Sequence, residues 1–98
     1  MGNIRIYQVN KDNRREFGFM DYEWFKLHGK EKMERAMYDL VWEGFDGSES
    51  LEGVYERFNL YHPADFKGHS LSVSDLVETE DGLFFCDDFG FTPVEWEG

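Results

Sequence analysis

The chain is poor in cysteine and proline and has no long apolar run, and each shortage excludes a class of protein. Its single cysteine, Cys86, excludes an internal disulfide and a cysteine-based zinc cluster. No apolar stretch approaches the roughly 20 residues of a membrane span, and the N-terminus lacks the charged and apolar regions of a secretion signal. We therefore expect a cytoplasmic protein with no membrane segment, built as one domain over residues 1–98.

Basic residues are scarce in the second part of the chain. Residues 1–35 contain eight Lys/Arg and six Asp/Glu, a balance of +2, whereas residues 36–98 contain two and fifteen, a balance of −13. No basic side chain follows Lys67. Such a surface repels a nucleic-acid backbone and favours a basic protein partner. A second interpretation, that the charge only keeps a small domain soluble, stays open.

The stretch from residue 50 to residue 59 has the clearest helix pattern. Ser50 can accept a hydrogen bond from a first-turn amide, and Asn59 can take the left-handed conformation that ends a helix. Between them, apolar side chains recur at helical spacing: Leu51, Val54, Tyr55 and Phe58. We expect a helix here, followed by a turn at 63–68 and a half-buried strand or kinked extended segment over 71–77.

The remaining pattern predicts four more strands and one more helix. Strands are expected at 4–9, 37–45, 83–87 and 91–96, the last at a sheet edge because Pro93 lacks an amide donor. Residues 10–15 are expected to form a polar turn, a helix capped by Asp21 to run to about His28, and residues 80–82 to form a hairpin turn. The predicted fold is α+β in the order β-α-β-α-β-β-β, one twisted, mostly antiparallel sheet of about five strands with two helices on one face.

Three blocks of the sequence resemble one known family. They are RFNLYHPADFKGHSLSVSD at 57–75, RAMYDLVWEG at 35–44 and DDFGF at 87–91, and an Ile-Tyr strand precedes them. Together they span nearly the whole chain and resemble the YodL-like domain family. The resemblance implies a bacterial, mostly Gram-positive, mobile-element setting, in which such domains occur alone or within larger proteins. It implies no shared catalytic mechanism.

Catalytic patterns in the sequence have plainer structural interpretations. His62, Asp65 and His69 would suit a divalent metal, but Pro63 and Gly68 argue against a helix that aligns them, and short polar side chains commonly bond the backbone of their own turn. Ser70, Ser72 and Ser74 lie near His69 and Asp75, yet strand alternation points them to one exposed face. Cys86 lies between apolar and acidic neighbours, which favours an inert, packed thiol. We expect a protein that is not an enzyme and that binds no metal and no cofactor.

The acidic residues of the last third form the main candidate partner-binding set. If the last three strands form a meander, these carboxylates converge on one edge and its turns, spaced about 5 to 7 Å apart across neighbouring strands. That spacing approximates the phosphates of a nucleic-acid strand, whereas the plain alternative is a solvated rim. The set is Asp75, Glu78, Glu80, Asp81, Asp87, Asp88, Glu95 and Glu97.

Three functional hypotheses follow. The first is a non-enzymatic mobile-element protein that inhibits a host defence nuclease, either an RNA-guided CRISPR nuclease or a restriction enzyme, by occupying its basic nucleic-acid channel. The second is a scaffold module that binds a host or plasmid protein through aromatics on the HPADFKGHSLSVSD turn at 62–75, with these candidate contact residues: Tyr61, His62, Asp65, Phe66, Lys67 and His69. The third is a small metal-dependent nuclease that uses His62, Asp65 and His69.

Overall fold

A computed structural model describes residues 2–98 and confirms the α+β class. The strands are β1 (Gly2–Val9), β2 (Tyr38–Asp46), β3 (Leu76–Thr79), β4 (Gly82–Cys86) and β5 (Phe91–Val94). The helices are α1 (Lys11–Phe17), α2 (Tyr22–Leu27) and α3 (Leu51–Leu60), and a 3-10 helix covers Arg35–Met37. Within residues 2–98, none of the helices has the length and apolar character to cross a bilayer.

The five strands form one antiparallel sheet in the order β2-β1-β3-β4-β5. This order places β5 and its Pro93 at an edge, as predicted. The β3–β4 connection is a hairpin in which Thr79 pairs with Gly82 across a two-residue turn, and Gly82 has a φ of +137° that favours glycine. Strands β3, β4 and β5 therefore form the predicted meander.

Helices cover both faces of the sheet, so the prediction of two helices on one face is wrong. Ile6 and Val77 pair across β1 and β3 and share a buried cluster with Phe58 of α3. The adjacent pair, Tyr7 and Leu76, points to the opposite face, because successive side chains alternate along a strand. The cluster on that face joins α1 and α2 to the sheet through Phe17, Phe25, Leu76 and Phe85.

The region predicted as a polar turn at 10–15 is a helix instead. Asn10 caps α1 by accepting a hydrogen bond from the Asn13 amide at 3.2 Å, and Phe17 buries its ring in the core. A seven-residue helix with one buried side chain shows no apolar periodicity, which is why the pattern missed it. The predicted cap of α2 is confirmed, because the Asp21 carboxylate accepts from the Trp24 amide at 2.9 Å.

Helix α3 begins where predicted but ends later. Ser50 accepts from the Gly53 amide at 3.1 Å, which confirms the N-cap. Asn59 does not take the left-handed conformation; it stays helical, and its side-chain amide donates to the backbone carbonyls of Tyr55 at 2.8 Å and Leu71 at 3.1 Å. The second bond ties the segment after the helix back to it.

Candidate functional site

The central turn, residues 62–68, packs against β2 and the core. The Trp42 indole donates to the Asp65 carboxylate at 2.9 Å, and the Lys67 amide donates to the Val41 carbonyl at 3.3 Å on the outer edge of β2. The Phe66 ring meets Phe58 edge-on with a centroid separation of 5.1 Å. Asp65 and Phe66 are therefore occupied by contacts within the fold.

A buried glutamine connects this turn to the segment before β3. The Gln8 amide nitrogen donates to the His69 carbonyl at 2.8 Å and to the Asp75 carboxylate at 3.0 Å, and its oxygen accepts from the His69 amide at 3.2 Å. A Cβ on Gly68 would lie 2.1 Å from that oxygen, so any larger residue there would have to displace the Gln8 side chain. Sequence reasoning missed Gln8, although a polar residue within an apolar strand was a usable indication.

Asp75 is buried and does not belong to an exposed acidic face, contrary to the prediction. Its side chain is 1% exposed. One carboxylate oxygen accepts from Gln8 and from the Ser72 amide at 2.8 Å, while Oδ1 has no hydrogen-bond partner among the described residues. Burial raises the pKa of Asp75 to about 8, because the charged form loses its solvation.

The structure does not bring the proposed metal ligands together. Nδ1 of His62 lies 3.4 Å from the Pro63 carbonyl oxygen, and Nδ1 of His69 lies 2.8 Å from the Ser70 carbonyl oxygen. Asp65 is bonded to Trp42. Across residues 2–98, no group of three His, Cys, Asp or Glu side chains is arranged to hold a metal ion.

The segment before β3 consists of turns rather than a strand. Ser74 has a φ of +85°, is buried, and accepts a hydrogen bond from the Phe19 amide at 2.9 Å. The prediction that Ser70, Ser72 and Ser74 share one exposed face is therefore wrong. Cys86 is buried, and burial raises the pKa of its thiol to about 12, which confirms a packed, inert thiol. These positions offer no activated nucleophile.

The other acidic residues fall into two groups at opposite ends of the meander. Glu78, Glu80, Asp81, Glu95 and Glu97 lie towards the β3–β4 turn, whereas Asp87 and Asp88 lie in the β4–β5 link. The two ends are about 20 Å apart, because six residues of strand separate Asp81 from Asp87 at ~3.3 Å each. The predicted convergence on a single edge is therefore wrong.

Cations from the first third of the chain approach the turn end. Glu78 accepts hydrogen bonds from Arg5 at 3.4 Å, from the Tyr7 hydroxyl at 3.1 Å and from the Trp96 indole at 3.0 Å. The pKa of Lys30 is raised first by its hydrogen bond to Glu34 and also by the negative charge of Glu97. This end is thus partly neutralised.

At the link end, Lys26 of α2 lines a pocket with Asp87 and Asp88, but its ion pair is with Glu23 at 3.3 Å, and no ion pair among residues 2–98 involves Asp87 or Asp88. The Asp87 carboxylate accepts from the Tyr22 amide at 3.2 Å, the Asp88 amide at 3.0 Å and the Thr92 hydroxyl at 3.0 Å, so it fixes the conformation of the link. Asp88 is exposed, and a hydrogen bond with the Asp21 carboxyl raises its pKa. The crowding of carboxyl groups here would be relieved by a cation.

A cleft of about 300 Å³ lies between α3 and the link, and we call it the α3 cleft. Glu52 and Tyr55 line it from the helix and Asp88 from the link, over a floor that includes Val73 and Phe91. Among residues 2–98, no ion pair involves the carboxylates of this cleft. The α3 cleft therefore combines aromatic rings with uncompensated negative charge.

Sequence reasoning missed three residues at this end. Glu52 was taken as a helix-dipole residue and Tyr55 as part of the buried stripe, but Tyr55 is 43% exposed. Phe89 in the link is 99% exposed, although an aromatic between acidic and glycine residues gave no indication of its direction. An exposed aromatic beside a charged cleft is typical of an interaction surface.

Comparison with known proteins gives one family match. The family model described as YodL-like domain matches residues 3–96 of the 98-residue chain. No curated protein matches the chain significantly, and no solved structure does.

Proposed function

Because the chain belongs to the YodL-like domain family, we propose that it is a non-enzymatic binding protein acting in the mobile-element setting that this family resemblance implies. Its partner is the basic nucleic-acid channel of a host defence nuclease, either an RNA-guided CRISPR nuclease or a restriction enzyme. Occupying the channel excludes the nucleic acid and so inhibits cleavage.

The observation that carries the proposal is the uncompensated charge around the α3 cleft. We call Glu52, Glu56, Asp87 and Asp88 the acidic face; Glu56 is exposed one turn after Glu52 on the same side of α3. Arg57, the nearest basic residue along the chain, pairs with the buried Asp46, and Lys26, which lines a pocket with Asp87 and Asp88, pairs with Glu23 instead. Carboxylates without cations attract a basic surface and repel a nucleic acid.

Long-range electrostatics predicts how such binding behaves. Oppositely charged surfaces steer encounter, which raises association rates by about 10- to 1,000-fold, and the gain falls with salt because ions screen exposed charges. Inhibition should therefore be fast and should weaken between low and moderate salt. A role as a solubilising rim alone predicts neither effect.

The test measures cleavage by a panel of CRISPR ribonucleoproteins and restriction enzymes with the protein in stoichiometric excess. We expect inhibition of at least one nuclease, and loss of that inhibition in the triple variant Glu52→Gln, Glu56→Gln, Asp88→Asn. The matched control changes net charge equally on another part of the surface: Asp12→Asn, Glu16→Gln and Glu31→Gln.

Three results would decide against the proposal. They are cleavage unaffected for every nuclease in the panel, equal inhibition by the two triple variants, or inhibition that does not respond to salt. Circular dichroism and thermal unfolding of each variant establish that it is folded, so that lost inhibition is attributed to the lost charge and not to unfolding.

A second candidate function, the scaffold module, keeps support from one patch. Leu60 and Tyr61, at the end of α3, are 67% and 73% exposed. Asp65 and Phe66 also make contacts within the fold, with Trp42 and Phe58, although Asp65 stays exposed. Tyr61→Ala would abolish partner capture from a host lysate under this hypothesis, while the acidic-face triple variant would bind normally; the opposite pattern rules it out.

A further inference from the structure

The β4–β5 link holds the backbone of Phe89 in place and exposes its ring between the α3 cleft and a pocket that Tyr22 and Lys26 line. The Asp87 amide donates to the Gly90 carbonyl at 2.9 Å and closes the link, and Gly90 has a φ of +81°. Together with the three hydrogen bonds that the Asp87 carboxylate accepts, this leaves the link little freedom. The Phe89 ring is 99% exposed, so a partner has to order this ring but not the backbone that carries it, which lowers the entropic cost of binding.

The α3 cleft beside it presents two kinds of surface at once. Tyr55 and Phe91 contribute aromatic surface to its lining, while Glu52 from α3 and Asp88 from the link contribute carboxylates. Water solvates carboxylates well, but its contact with aromatic rings is unfavourable. A ligand that uses both surfaces needs a flat or apolar body and a positive charge.

We propose that the α3 cleft receives an arginine side chain from a basic segment of the partner protein, with Phe89 covering the aliphatic part of that segment. This inference rests on the proposed function, because it names the group through which the basic partner is held. The occupant is a side chain of another protein rather than a free ion.

Arginine fits this cleft better than lysine or a divalent cation. Its planar guanidinium stacks on aromatic faces and forks two hydrogen bonds to a carboxylate, whereas the compact lysine ammonium is strongly hydrated and does neither as well. Divalent cations such as Mg²⁺ and Ca²⁺ take oxygen ligands and gain nothing from Tyr55 or Phe91. Charge complementarity and the aromatic lining therefore favour the same occupant.

The experiment titrates the ¹⁵N-labelled chain with hexa-arginine and follows the backbone amide shifts. We expect saturable shifts at Tyr55 and across Asp87–Phe91, weaker shifts with hexa-lysine, and none with hexa-citrulline, the uncharged analogue. Glu52→Gln combined with Asp88→Asn should weaken hexa-arginine binding at least about tenfold, as expected for the loss of charge-assisted hydrogen bonds. The charge-matched control pairs Glu80→Gln with Asp81→Asn at the turn end.

Phe89→Ser provides a second variant that does not threaten folding, because the ring is exposed. It should weaken hexa-arginine binding and leave the midpoint of thermal unfolding unchanged. Equal hexa-arginine affinity for Phe89→Ser and wild type would overturn the role given to that ring.

Four outcomes would overturn the inference. The first is hexa-arginine binding that maps to the turn end, or that the Glu52/Asp88 double variant does not weaken. If the acidic-face triple variant still loses nuclease inhibition in that case, the proposed function stands and only this inference fails. The second is the absence of both peptide binding and nuclease inhibition, which removes both. The third is the same shifts with MgCl₂ or CaCl₂ alone, with displacement of the peptide. The fourth is the same shifts on raising the protein concentration, which would identify a second copy as the occupant.

Discussion

Replacing Asp75 with asparagine should remove a large part of the pH dependence of stability. Burial raises the pKa of this carboxyl to about 8 in the folded protein, against about 3.9 in an unfolded chain. Between these values the folded state holds a proton that the unfolded state has lost. The stabilisation from Asp75 is therefore fully present below about pH 4 and is lost as the pH rises through about 8.

The magnitude follows from one proton per molecule. Each pH unit within this window should lower the free energy of unfolding by about 1.4 kcal/mol, or about 2.7 kcal/mol between pH ~5 and pH ~7. Asparagine keeps an oxygen that can accept from Gln8 and from the Ser72 amide, as Asp75 Oδ2 does at 3.0 and 2.8 Å, but it carries no proton to lose. The free energy of unfolding of Asp75→Asn, plotted against pH, should therefore be flatter than that of wild type by about 1.4 kcal/mol per pH unit.

Urea unfolding followed by tryptophan fluorescence, repeated across this pH range, measures the difference. The control is Asp81→Asn, which makes the same chemical change in the exposed β3–β4 turn and should run parallel to wild type. Parallel curves for wild type and Asp75→Asn would refute the reasoning, because they would mean that Asp75 is ionised in the folded protein throughout the range. A wild type that gains stability over the variant as pH rises would refute its sign.

Three further substitutions test contacts that hold the fold. Gly68→Ala should destabilise by about 1–3 kcal/mol in urea unfolding, because the new Cβ displaces the Gln8 side chain and breaks its hydrogen bonds; an unchanged midpoint would contradict this. Asp65→Ala should cost about 1–2 kcal/mol by leaving the Trp42 indole unpaired, and Asp65→Asn, which keeps the acceptor, should lose much less. Ser50→Ala should cost about 1 kcal/mol of thermal stability through the lost helix cap, and Ser50→Asp should restore it.

Features that depend on neighbouring residues were predictable from the sequence. The caps at Ser50 and Asp21 and the hairpin turn before Gly82 form through contacts within four residues, and each lies where the pattern indicated. The placement of helices was not predicted, although β1 carried the information. Ile4 and Ile6 on one face and Tyr7 on the other make both faces apolar, and a strand apolar on both faces is buried on both.

The errors in the candidate site have a different physical origin. A sequence gives the sum of charges but not which of them are buried, paired or repelled, since that depends on residues far apart in the chain. Asp75 is buried because Gln8, 67 residues earlier, reaches it, and Glu78 is neutralised because Arg5 lies in the neighbouring strand. Glu52 and Asp88 meet only because α3 and the link fold together.

The block that resembles the family most specifically turns out to hold the fold together. Asp65, Phe66, Gly68 and Asp75 all contact the sheet or the core, so a change at these positions should lower stability, and lost binding in such a variant would not by itself identify a binding residue. A partner protein binds side chains that are exposed, that have no partner within the fold and that a fixed backbone carries. In residues 2–98 those properties coincide most clearly in the β4–β5 link, where the exposed Phe89 lies between two residues that line the α3 cleft, Asp88 and Gly90. Variants at Phe89 should therefore separate binding from folding in a way that variants of the central block do not.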